Sequence, residues 1–195
     1  MLTYYKPNKA NRGMLASFKL VSRQSRDNEP FKEGCVYLNL VRQTDWNAEK
    51  RTGSFKNGDG INVKFNIFEL GKWLGAIERN GKFDTFHDSK DKVTITFAPW
   101  MDKNTGEQVG FALYVNRTRE GAEDKFSIAF RLGEEVALRE FFKLAIEHIL
   151  LSNYAEEKRK FKAAVANKSE PVAVKDLPDR VENDEDEDDD IPLFG

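Results

Sequence analysis

Bases, amides, hydroxyls and tyrosines recur at every second position in six short runs of the chain. Lys19 with Arg23, Tyr37 with Asn39, Lys64, Lys92 with Thr94, Tyr114 with Asn116, and Lys125 with Arg131 all alternate with apolar residues. Ser17, Gln43, Asn62, Asn66, Thr96, Thr118 and Ser127 share their parity. Such side chains have a common use. Lysine and arginine neutralise phosphates and release counterions, a phenol ring offers a face on which any base stacks, and amides and hydroxyls bond exposed base edges without demanding one sequence. None of these polar positions holds an acid, although 33% of the chain is charged. Arg42 and Arg117 close two of the runs, and Trp46 and Trp100 are expected just past strand ends as further stacking platforms. Trp73, at helical spacing, reads as core. The chemistry indicated is the holding of a polyanion with flat, unpaired rings.

Other chemistries find less support. The chain has no glycine-rich phosphate loop, no HExxH, no GxSxG and no Cys-His arrangement, so no enzyme and no cofactor is expected. The single Cys35 and the distant His87 and His148 give no metal-ligand spacing. Lys6–Arg12 and Lys158–Lys162 are two further basic clusters suited to phosphate or simply to solubility.

The elements that must position these residues come in two similar halves, about 14–80 and 81–154. In the first, Phe18 and Leu20, then Val36, Leu38 and Leu40, then Ile61, Val63 and Phe65 mark three strands by period two. A helix follows, with Ile67, Leu70, Trp73, Leu74 and Ile77 on one stripe and Asn80-Gly81 as its stop. The second half repeats the order with Val93, Ile95 and Phe97, then Phe111, Leu113 and Val115, then Phe126, Ile128 and Phe130, and a helix from about Glu134 to Tyr154. "LNLVR" at 38–42 sits beside "LYVNR" at 113–117. An extra strand at Lys82–His87 is expected to pair with Lys92–Ala98, and residues 42–60 read as a long basic loop. The fold class is therefore α+β, with duplicated strands-then-helix units forming antiparallel sheet backed by two helices and one sheet face open. The alternative is an oligonucleotide-binding (OB) β-barrel with a C-terminal helix.

Charge divides the chain. After Lys175 lie ten of the 33 acids and one of the 31 bases, which leaves residues 1–175 with thirty bases against twenty-three acids, a balance of +7. The expected organisation is a flexible basic arm at 1–13, a domain at 14–166 and a disordered acidic tail at 167–195. No apolar run is long enough for a membrane span and residues 1–13 lack a secretory h-region, so a cytoplasmic protein is expected.

The end of the tail, DDDIPLFG, resembles the acidic tip of bacterial and bacteriophage single-stranded DNA-binding proteins. It departs from that pattern at Leu193, which separates Pro192 from Phe194, and at Gly195. The resemblance implies that Ile191, Pro192 and Phe194 enter a partner's pocket while Asp188, Asp189 and Asp190 steer them there. The body's element order is similar to the Whirly and p15-coactivator group of single-strand binders, whose curved antiparallel sheets are backed by helices. Together these resemblances imply a sequence-independent single-stranded DNA-binding protein, a homodimer or higher homo-oligomer, that coats DNA in replication, recombination and repair and recruits proteins through its tail. Two alternatives stand beside it: a transcription or RNA-binding adaptor using the same face, and an acidic-tailed, chaperone-like interaction protein.

Overall fold

A computed structural model describes residues 1–22, 34–88 and 91–168, and for 56–59 and 164–168 it describes the backbone alone. Arg23 and the acidic segment with Asp188–Asp190, Ile191, Pro192 and Phe194 lie outside the described residues. The chain divides into two compact units, Met1–Arg159 and Lys160–Gly195. In the second unit the described residues, 160–168, are helical.

Among the described residues eight strands and two helices follow in the order β1 (Leu2–Lys6), β2 (Met14–Val21), β3 (Cys35–Asn47), β4 (Thr52–Phe65), α1 (Ile67–Glu78), β5 (Phe83–Asp88), β6 (Lys92–Met101), β7 (Gln108–Arg119), β8 (Ala122–Arg131) and α2 (Glu134–Lys168). They form two separate antiparallel meanders, β1-β2-β3-β4 and β5-β6-β7-β8, each followed by a helix. The duplicated order thus appears as two four-stranded sheets, and two open sheets are not the closed barrel of the OB alternative.

Alternation explains the layering, because successive side chains on a strand point to opposite faces. Phe18, Leu38, Val63 and Phe65 of the first sheet and Ile95, Phe97, Leu113, Val115, Phe126 and Phe130 of the second are buried in one core with both helices. Helix α1 starts at a capping box: the Asn66 side chain accepts from the amides of Phe68 (2.9 Å) and Glu69 (3.0 Å), and the Glu69 carboxylate accepts from the Asn66 amide at 3.0 Å. Its buried face carries Leu70, Trp73, Ala76 and Ile77. Trp73 is the hub, stacked on Phe83 at 5.1 Å and within 5.4 Å of Phe65, Phe97 and Phe142. Leu138, Phe142, Ala145 and Ile149, at spacings of three and four, form the buried stripe of α2.

Three expectations change. The basic arm is not free: β1 pairs with β2 from Leu2↔Phe18 to Lys6↔Met14, and Tyr4 packs edge-on against Phe130 while its hydroxyl donates to the Glu134 carbonyl at 2.8 Å. Burial, with Glu134 and Glu135 nearby, pushes that phenol up to about 12. The long basic loop at 42–60 is for the most part the ends of β3 and β4, paired down to Asn47↔Thr52. Finally, α2 continues past Tyr154 to Lys168. The hairpin of β5 with β6 is as expected, from Phe83↔Phe97 to Asp88↔Lys92.

Candidate nucleic-acid interface

Strand register sets the polar faces in rows. On the second sheet one row reads Asp84–Thr96–Tyr114–Ser127, the next Phe86–Thr94–Asn116–Lys125, and a third Asp88–Lys92–Thr118–Glu123. In the other direction lie Ala98–Ala112–Ala129 and then Trp100–Gly110–Arg131. Tyr114, 46% exposed, and Trp100, 40% exposed, therefore stand on neighbouring strands with a row of alanines between them. Small side chains here leave a depression of about 300 Å³, lined by both rings with Ala112, Ser127 and Ala129. Gly110 is required by the backbone: its φ is +152°, and a Cβ there would come within 1.9 Å of the Phe130 carbonyl oxygen.

The depression continues toward the first sheet. A second cavity of about 270 Å³ shares Trp100, Ser127 and Ala129 with it and adds Lys6, Arg12 and Arg131. A third, of about 260 Å³, shares Arg12 and Ser127 and adds Asn11, Arg42 and Lys125. The three make one groove with aromatic rings at one end and cations at the other. Lys6 pairs with Glu134, and Lys125 with the exposed Glu123 at 3.4 Å. Among the described residues Arg12 has no carboxylate partner. Burial works to raise the Glu134 carboxyl, but hydrogen bonds from Lys6 and the Arg131 amide, with their charges, hold it below the ordinary value.

On the first sheet Lys19, Tyr37 and Lys64 form a single cross-strand row, with Tyr37 38% exposed between two lysines. The next row is Ser17–Asn39–Asn62, where Asn39 Nδ2 donates to Asn62 Oδ1 at 2.8 Å. This is a second basic, aromatic patch of the expected kind.

Arg42 and Arg117 do something else. Both sit at the inward parity, after Leu38 and Leu40 in one half and Leu113 and Val115 in the other, and both converge on Asp124 at the seam between the sheets. Arg117 donates twice to Asp124 Oδ2, from Nη2 at 2.6 Å and Nε at 3.2 Å, and its Nη1 reaches the Gly60 carbonyl at 3.4 Å. Arg42 stands 3.5 Å from Asp124 Oδ1, donates to the Lys125 carbonyl at 3.0 Å and lies 4.2 Å over the Phe126 ring. The bonds from Arg117 hold the Asp124 carboxyl below the ordinary carboxylate range, against a small opposing effect of burial, and Arg42 adds to the lowering. Arg117 is thus committed to the fold, while Arg42 is half committed and still lines the groove.

Other expected residues fall elsewhere. Trp46 and Trp100 lie within strands rather than past their ends; Trp46 is half-buried where β3 meets β4, opposite Gly53, and lines none of the three cavities of the groove. Gln43, expected on the open face, is 5% exposed beneath residues 8–13. The open face also carries acids that its expected composition lacked: β5 contributes Asp84 and Asp88, and β8 contributes Glu123. Asp84 accepts from Thr96 Oγ1 at 2.7 Å and pairs with Lys82 at 2.9 Å, so it belongs to the margin. Sequence reasoning missed Ala112, Ala129 and Asp124; for Arg12 the only signal was its place in a basic cluster. Among the described residues no group of three or more His, Cys, Asp or Glu is placed to hold a metal ion.

No protein-family model matches the sequence, and no curated protein matches it. Solved structures do. WHY3 from Arabidopsis thaliana superposes with a TM-score of 0.55 at 13% identity, covering 85% of this chain and 97% of its own. WHY1 from the same plant gives 0.57 at 13% identity, covering 85% and 94%. The plant transcriptional regulator PBF-2 gives 0.56 at 14% identity, covering 87% and 93%. Identity this low speaks to architecture alone: the chain has a Whirly-like fold, antiparallel sheets backed by two helices.

Proposed function

We propose that this protein binds single-stranded nucleic acid, DNA in the first instance, without sequence preference. The carrying observation is the groove itself, where two exposed rings flank a floor of alanines and continue into a cluster of cations that includes Arg12, which has no carboxylate partner among the described residues. A base stacked on Tyr114 or Trp100 must be free of its complement, because a paired base has both faces covered in the duplex. The cations hold the backbone by charge and carry no sequence information. Likeness of fold to the plant proteins adds support to this reading.

The role that follows is the coating of unpaired strands during replication, recombination or repair. The acids and apolar residues at 188–194 recruit partner proteins in this proposal, and their composition in the sequence is what supports it. A homo-oligomer fits the exposed Leu144, Leu151 and Tyr154 of α2, which leave apolar surface uncovered in the single chain. A cytoplasmic site of action is part of the same proposal. The second reading, a transcription adaptor, is favoured by one observation: a structural neighbour of similar coverage is a plant transcriptional regulator. Titration of oligo-dT against oligo-rU and a transcription-start duplex separates the two. Tightest binding to oligo-dT supports coating, and tightest binding to the duplex supports the adaptor.

A further inference from the structure

Among the described residues Gln43 is the one buried polar side chain, and every bond it makes goes to one short segment or its neighbour. Its Oε1 accepts from the Asn8 amide at 2.8 Å, and its Nε2 donates toward the carbonyl of Asn8 (2.9 Å), Asn11 Oδ1 (3.1 Å) and the carbonyl of Asp45 (3.0 Å). The Gln43 amide in turn donates to the Gly13 carbonyl at 2.9 Å. Two glycines make room for it: a Cβ on Gly13 would lie 2.1 Å from Oε1, and one on Gly53 would lie 2.9 Å from Cδ. Gln43 reaches this position because β3 is irregular between Val41 and Asp45. Asn8 then passes the order along, since its Oδ1 accepts from the amides of Ala10 (3.1 Å) and Arg12 (2.9 Å).

The product of these bonds is a fixed backbone at Arg12, a cation that lines both cationic cavities of the groove. A long charged side chain loses rotamer freedom when it is immobilised, and an ordered backbone beneath it removes part of the search. We infer that residues Pro7–Gly13 are a phosphate clamp, with Arg12 the residue that contacts the phosphate and Gln43 the positioning residue that latches the clamp in place. This inference rests on the reading of the groove as a single-strand site and goes beyond it by assigning the phosphate contact to a segment outside the sheet faces.

The test is the salt dependence of oligo-dT binding by the full chain and by Arg12→Ala, Gln43→Met and the double variant. Each phosphate neutralised on a single strand contributes about −0.7 to the slope of log K against log salt. Arg12→Ala is expected to lose about one such increment, Gln43→Met the same increment although it removes no charge, and the double variant no more than either. Asn8→Ala, an exposed change, should act like Gln43→Met and serves where the latter does not fold. A full slope in Arg12→Ala overturns the clamp. A full slope in Gln43→Met or Asn8→Ala, or additive losses in the double variant, overturns the latch. Absence of binding by the unmodified chain overturns the groove itself, which is a different result.

Discussion

Replacing Tyr114 by alanine removes one wall of the depression and no charge. The ring is 46% exposed, so about 100 Å² of an aromatic side chain is available to a stacked base. Covering that area at about 25 cal/mol per Å² is worth roughly 2.5 kcal/mol, inside the range of about 1–3 kcal/mol per base measured for stacking on aromatic side chains. Taking about 2 kcal/mol as the working value, binding of oligo-dT weakens roughly thirty-fold at fixed salt. The slope against salt stays unchanged, because no phosphate contact is lost. Trp100→Ala behaves alike. Fluorescence anisotropy of end-labelled oligo-dT, read from low to moderate salt, supplies both quantities, and circular dichroism confirms that the variants fold. Unchanged affinity in a folded Tyr114→Ala/Trp100→Ala protein refutes the stacking site, and a shallower salt slope would show that the rings act by supporting nearby cations.

Asp124→Asn frees Arg42 and Arg117 of their shared counter-ion, so oligo-dT binding should tighten with a steeper salt slope; thermal unfolding should fall by no more than about 1 kcal/mol, the pair being partly exposed. Glu69→Gln keeps an acceptor for the capping box but removes the carboxylate charge from the first turn of α1 and weakens the 2.6 Å contact with His87, and denaturant unfolding should show a loss of about 0.5–1 kcal/mol. Burial raises the Glu69 carboxyl, but bonds from the Asn66 amide, His87 and Thr85 outweigh it and leave the group lowered, so its contribution is complete above the unfolded carboxylate pKa and is lost as pH falls through the folded one. The unmodified chain should therefore lose more stability than Glu69→Gln on acidification through that window. Trp73→Ala empties the centre of the core and should cost about 3–5 kcal/mol in urea melts. Deleting residues 176–195 turns a chain of net charge −2 into a body of +7, and binding to oligo-dT at low salt should tighten; unchanged affinity would separate the tail from the nucleic-acid site.

Much of the architecture is legible because period-two alternation is a local signal. Phe18, Leu38, Val63, Ile95, Leu113 and Phe126 announce their strands, and the opposite parity places Tyr37, Tyr114 and Lys125 outward. The α1 stripe is equally local, whereas Asn66, expected among the polar residues of the open face, caps that helix instead. What escaped is long-range or silent. β1 is five residues long and runs into a charged segment, so its pairing with β2 depends on Tyr4 finding Phe130, far along the chain. Arg42 and Arg117 carry the inward parity in plain view; Asp124 faces Arg117 across the β7–β8 hairpin, but its reach to Arg42 on the other sheet is a contact that no local pattern reveals. Gln43 has outward parity, but the irregular register of β3 and the covering residues 8–13 bury it. Ala112 and Ala129 matter by what they leave empty, and an alanine within a strand carries no sign of that.

The most direct test is a comparison of oligo-dT with a duplex of equal length, titrated at low salt and again at moderate salt. Tight, salt-sensitive binding of the single strand with much weaker binding of the duplex is the predicted result. Equal affinity for both, or no binding of oligo-dT at low salt, would contradict a groove built to stack unpaired bases.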